Sequence, residues 1–136
     1  MKSLSAFLLF LIIVVVAAAY GQAPMMVLDG IVSSRQQWGP PGFGETPAVD
    51  QKVRIFVLKL HRSKSAKELS LPSTEKLGRR FGEIQLSCDT SAFPSCRRLL
   101  EGSVGHRVTV SGELARAVNP TDYLPIGMTV RLIQRP

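Results

Sequence analysis

Two cysteines, Cys88 and Cys96, and two histidines, His61 and His106, are the residues best suited to metal or nucleophilic chemistry in this chain. Zinc takes such side chains in tetrahedral sets of four. The spacing does not serve it, because one pair of thiols supplies two ligands and neither histidine stands at a ligand-like interval from them; no metal or other cofactor is implied. Nucleophilic chemistry fares no better. The signatures G-x-S-x-G and H-E-x-x-H, a phosphate-binding loop and a Cys–His nucleophile pair are all missing, and the ten carboxylates are scattered singly. No catalytic residue is assigned. A general base needs a partner within hydrogen-bond reach, and His106 has none beside it in sequence. Two readings of His106 follow: a barrel-rim histidine satisfied by a backbone carbonyl, or the base of a small hydrolase acting with His61 and a carboxylate such as Asp50 or Glu45.

Binding chemistry is better represented. In "WGPPGFG", residues 38–44, Trp38 and Phe43 flank two prolines and three glycines. A rigid turn carrying two rings makes a stacking platform for sugar or peptide; alternatively the rings fold back as a lid over a barrel end. In "GHRVTVSGEL", residues 105–114, the odd positions Arg107, Thr109 and Ser111 share a face that is either a binding surface or simply solvated. A basic run, Arg62, Lys64, Lys67, Lys76, Arg79 and Arg80, is a solvated stretch or a contact for an anionic surface whose strength falls with salt.

These residues need elements to hold them. Alternation and β-branched content predict strands over 25–32, 52–60, 82–87, 105–114 and 128–134. Gly30, inside the first, marks a bulge or a barrel corner, and Gly112 a bend or a close backbone approach. Ile84 and Leu86 share a face, as do Met128, Val130 and Leu132. Along the fourth strand Val108, Val110 and Leu114 form the core set, which brings His106 in on the core face. Phe93, Cys96 and Leu100 recur at helical spacing, with Pro94 suited to a first turn and Gly102 to the stop. Two long connections, 33–51 and 61–81, are rich in Gly, Pro and polar residues, and "NPTDYLP" with Asp122 and Tyr123 reads as turn chemistry.

Five strands with one short helix between the third and fourth is the element order of the OB-fold. The expected class is therefore all-β, an OB-fold-like β-barrel. A small sandwich or SH3-like barrel is the alternative. An α/β fold is disfavoured, since helices are missing between the other strands.

Lys2 followed by the apolar run 6–19 and small residues has the pattern of a secretory signal peptide, with cleavage after Ala19, Gly21 or Ala23. The run is short for a bilayer span, which needs about 20 residues; a retained anchor is the other reading. Residues 1–23 are thus expected to be signal peptide and 24–136 one OB-like domain, periplasmic or secreted. In that compartment the cysteine pair reads as a disulfide. Closing a loop of about 9 residues contributes roughly 2.6 kcal/mol in the chain-entropy treatment. The bond would tie the end of the third strand to the first turn of the helix. The chain carries 17 Lys and Arg against 10 Asp and Glu, which attracts anionic partners such as acidic glycans, acidic proteins or membrane surfaces. Export argues against nucleic acid.

"GPPGFGE" at 39–45, the "IFVLKL" strand, "IQL" and "GHRVTVSGEL" together resemble the exported bacterial proteins grouped as domain of unknown function 4431, over roughly residues 27–133. The resemblance implies a small secreted or periplasmic domain and supplies no activity. Many members of that group carry a His-rich segment between the last two strands; here the position reads "ARAVNPTDYLP", without histidine. The functional expectation is a non-enzymatic binding module for an envelope glycan, peptide or protein, using Trp38, Phe43, Arg107 and Thr109. A structural or stress protein of the envelope without a discrete ligand, and the small hydrolase built on His106, are the other readings.

Overall fold

The computed structural model describes residues 25–72 and 78–136. The expected signal peptide and Lys76 of the basic run lie outside the described residues. Five strands, β1 (Met25–Trp38), β2 (Lys52–Ser65), β3 (Arg80–Cys88), β4 (Arg107–Arg116) and β5 (Ile126–Gln134), close into a ring in the order β1-β2-β3-β5-β4. One helix, α1 (Cys96–Ser103), sits between β3 and β4. The all-β class and the helix placement are those expected. Within the ring β4-β1-β2-β3 is the spatial order of a Greek key; only β3 and β5 run parallel.

β1 is longer than its apolar stretch. Its first half pairs with β4 and its second half, the polar "SSRQQ" and Trp38, pairs with β2. The strand changes partner at Gly30 and Ile31, which face both neighbours. A Cβ at Gly30 would overlap the Lys59 carbonyl oxygen, so the glycine marks the corner, as its position suggested. β2 and β3 likewise extend into the polar stretch assigned to a loop: after a register shift Lys64 pairs with Phe81 and Ser65 with Arg80. Backbone pairing holds these polar arms, which hydrophobic alternation does not reveal.

The ring encloses Leu28, Val32, Phe56, Leu58, Ile84, Leu86, Val108, Val110, Ile126, Met128 and Val130, and α1 closes one end through Cys96 and Leu100. At about 25 cal/mol per Å² of apolar surface removed from water, this core is the main stabilising term. Cys88 and Cys96 form the expected disulfide, with Cα atoms 5.8 Å apart, fixing the end of β3 to the start of α1. The helix ends one residue later than Gly102; the positive φ belongs to Gly105.

Two expectations are corrected. Leu132 does not join Met128 and Val130 inside. β4 pairs Gly112 with Val130 but Ser111 with Leu132, so Arg131 is an extra residue and the alternation flips beyond it. Ile133 then packs against the core and Leu132 turns outward. His106 does not enter on the core face either. It precedes β4 in a bend, with an exposed side chain, and its backbone makes the contacts: its carbonyl accepts from Val32 N at 3.1 Å and its N–H donates to Ser103 O at 2.9 Å.

Candidate functional site

Loop 39–51 is built around one carboxylate. Asp50 Oδ1 accepts from Gly42 N at 2.6 Å and from Thr46 Oγ1 at 2.9 Å, while Oδ2 accepts from Gly44 N at 2.8 Å and Thr46 N at 3.0 Å. Burial would raise the Asp50 pKa, but these four donors outweigh it and hold the group below its ordinary value. The ends of the loop are clasped by Gly39 N donating to Gln51 O and Gln51 N to Pro40 O. Phe43 takes a φ of 51° at the tip and is 37% exposed.

The connection between β4 and β5 is fixed in the same manner. Asp122 accepts from Val118 N and Asn119 N, which lowers its pKa. Gln85, buried in β3, supplies three further bonds: its Nε2 donates to Thr121 O, and its Oε1 accepts from Tyr123 N and Leu124 N. A buried amide satisfied on both ends is a strong positional lock. Tyr123 then reaches across to donate its hydroxyl to Trp38 O at 2.9 Å, so the two loops are tied together.

Between them lies a cleft of about 340 Å³ on the β2–β3 surface, bordered by Pro40 and Tyr123 from the loops. Its floor includes Val53, Ile55 and Ser87, and its cationic groups are Arg54 and Arg97. Arg54 lies over the Phe56 ring, 5.3 Å from its centroid, and donates to Ser34 Oγ. Arg97 stands on α1 at 3.5 Å from Glu101, one helical turn on. Ser87 and Thr90 add exposed hydroxyls. Preformed concavity with a few placed polar groups is the general character of a ligand site.

Phe43 belongs to the loop and Trp38 to the end of β1 that leads into it, but neither lines this cleft. The Trp38 ring has Gly44 packed against it and Lys52 Nζ 5.0 Å from its centroid, so its contacts hold the loop to the strand. Arg107 and Thr109 lie elsewhere. They pair with Ile31 and Asp29, while Trp38 ends β1 seven positions beyond Ile31, roughly 23 Å away at 3.3 Å per residue. The four expected binding residues thus fall at two separate places. Asp50 precedes β2 by two residues and His61 is the tenth residue of that strand, so the two are not brought together. No three His, Cys, Asp or Glu side chains among the described residues are grouped to hold a metal.

Sequence reasoning missed Gln85, Arg54 and Arg97, and read Tyr123 as turn chemistry without its bond to Trp38. "NPTDYLP" does contain the Asp that organises the second loop, so turn chemistry was the correct signal; what it serves depends on a strand 36 residues earlier. No protein-family model matches the chain and no curated protein matches it. The likeness to domain of unknown function 4431 rests on the quoted motifs.

Proposed function

We propose that the protein is a non-enzymatic, exported binding module that takes an acidic oligosaccharide in the β2–β3 cleft. The observation behind this reading is the convergence of both loops on one face, each immobilised by its own carboxylate and joined by the Tyr123–Trp38 bond. Ordering those loops beforehand removes an entropy cost that binding would otherwise meet. In OB-folds the strand 2–3 face with the first and last interstrand loops is where oligonucleotides and oligosaccharides bind. The signal-peptide pattern favours the sugar. Arg54 and Arg97 select carboxylate groups, since a guanidinium meets a carboxylate with two parallel N–H donors, while the Ser87 and Thr90 hydroxyls suit sugar hydroxyls.

Calorimetry and amide chemical shifts with a uronic acid oligomer, a neutral glucan oligomer and an oligoglutamate peptide test it. The uronic oligomer binds and shifts resonances of Ser87, Thr90 and Tyr123. Arg97→Ala weakens it by about 10-fold, the worth of one charge-assisted hydrogen bond. Preference for the peptide, or shifts confined to other faces, would overturn the reading.

A further inference from the structure

A different face carries a second set of groups that the cleft does not use. Met25, Val27 and Ile31 alternate along the outside of β1 and are 53%, 59% and 49% exposed; Leu132 of β5, turned outward by the bulge, is 46% exposed. Val27 lies opposite Ser111, which lies opposite Leu132, so the two apolar side chains share one row of the sheet. Exposed apolar residues are ordinary singly, but four gathered on one sheet surface form a patch.

Cations border it. Ile31 stands between Lys59 on β2 and Arg107 on β4. Two shallow clefts of about 290 and 220 Å³ share His61 and Arg107, with Arg62 on the wall of the second. Lys59, Arg62 and Arg107 make no ion pair with a described residue. The acidic groups on this face are engaged: Asp29 accepts the Thr109 hydroxyl at 2.5 Å, Glu113 holds Arg131 at 2.9 Å, and Glu83, opposite Lys59, is ion-paired with Arg35.

We propose that this face seats on an anionic lipid surface, with Val27, Ile31 and Leu132 entering the headgroup boundary and Lys59, Arg62 and Arg107 meeting headgroup phosphates. A soluble polyanion would satisfy the cations and leave the apolar side chains in water. A bilayer with acidic headgroups satisfies both, and apolar burial plus basic attraction is the combination that holds proteins at an interface. The chain supports the same occupant: five residues, 20–24, separate the apolar run 6–19 from Met25, so an anchor left in place delivers this end of β1 to the membrane.

Vesicle sedimentation tests it, using a chain beginning at residue 24, which retains every strand of the ring, and checking each variant's melting temperature. The vesicles are phosphatidylcholine with and without phosphatidylglycerol. Binding requires phosphatidylglycerol and falls with added salt. Lys59→Gln and Arg107→Gln each weaken it about fivefold, near the contribution of one basic residue at an anionic surface. The double variant Val27→Ser, Leu132→Ser also weakens it several-fold while leaving the salt dependence unchanged. Indifference to phosphatidylglycerol overturns the proposal. So does a loss confined to the charge variants, which assigns the face to a soluble polyanion.

Discussion

Asp50 shows how much one side chain contributes to the candidate site. Its carboxylate accepts four hydrogen bonds from a loop of three glycines and three prolines that has no apolar core of its own. Asp50→Asn keeps the shape but replaces one acceptor oxygen with an NH₂ donor facing an N–H or O–H donor. The expected outcome is faster amide exchange at Gly42 and Gly44, a lowered melting temperature and weaker binding of the uronic oligomer, with the ring strands still protected. Unchanged exchange at both glycines would show that the loop holds its shape without the carboxylate. At this scale the sequence was only partly legible. "WGPPGFG" stood out as the unusual segment, but Asp50 was weighed as a catalytic partner because three of the four hydrogen-bond donors that define its role are backbone groups invisible in a list of side chains. Trp38 was readable as important and not as a loop anchor, since which ring faces are covered depends on Lys52 and the fold of Gly44. His106 drew notice for its imidazole, yet what it contributes here is a peptide unit.

Elements were easier to read than residues, and where they failed a parity rule explains it. All five strands and the helix have a counterpart in the hydrophobic pattern, and Gly30 and Gly112 were assigned to bends or close approaches. The polar ends of β1, β2 and β3 were missed because backbone pairing to a single neighbour holds them, and that needs no apolar alternation where the side chains meet solvent. Leu132 was misplaced because one bulged residue, Arg131, reverses inside and outside for everything after it. Gly112 sits at that shift. A Cβ there would overlap the Thr129 carbonyl oxygen and press on the Met128 side chain. Backbone cannot withdraw as a flexible side chain does, so Gly112→Ala forces β4 and β5 apart. The expected cost is about 1–3 kcal/mol, the range for overpacking a closed core, measured as a shift of the urea midpoint at constant slope. A loss of Ile133 protection in hydrogen exchange should accompany it, because the bulge is what points Ile133 inward. A neutral Gly112→Ala would mean the bulge relaxes without disturbing the ladder.

The molecule as a whole places two dissimilar surfaces on one ring, a preformed cleft where the first half of β2 meets the end of β3, and an apolar, cationic face over β1, β4, β5 and the second half of β2. The cleft takes residues 53–56 of β2 and the basic face takes Lys59 and Arg62, farther along the same strand, so a domain lying on that face leaves the cleft residues uncovered. Both cleft loops depend on charged aspartates, and this gives the molecule a common acid response. Hydrogen bonds from Gly42, Gly44 and Thr46 outweigh burial at Asp50, those from Val118 and Asn119 act at Asp122, and those from Ser91 and Ala92 act at Asp89, all lowering the pKa. A carboxyl with a lower pKa folded than unfolded binds more protons in the unfolded chain, so its stabilisation is complete above the unfolded value, near pH 4, and is lost as the pH falls through the folded one. The three groups shift the same way, so their losses fall in one window. Stability measured by urea unfolding is therefore expected to be level from pH 7 down to about pH 5 and to decline steeply below about pH 4. Amide exchange at Gly42, Gly44, Val118 and Asn119 should accelerate over the same interval. The double variant Asp50→Asn, Asp122→Asn starts less stable at neutral pH and declines less below pH 4, so the two curves converge in acid. Parallel curves would place the acid sensitivity in other carboxylates.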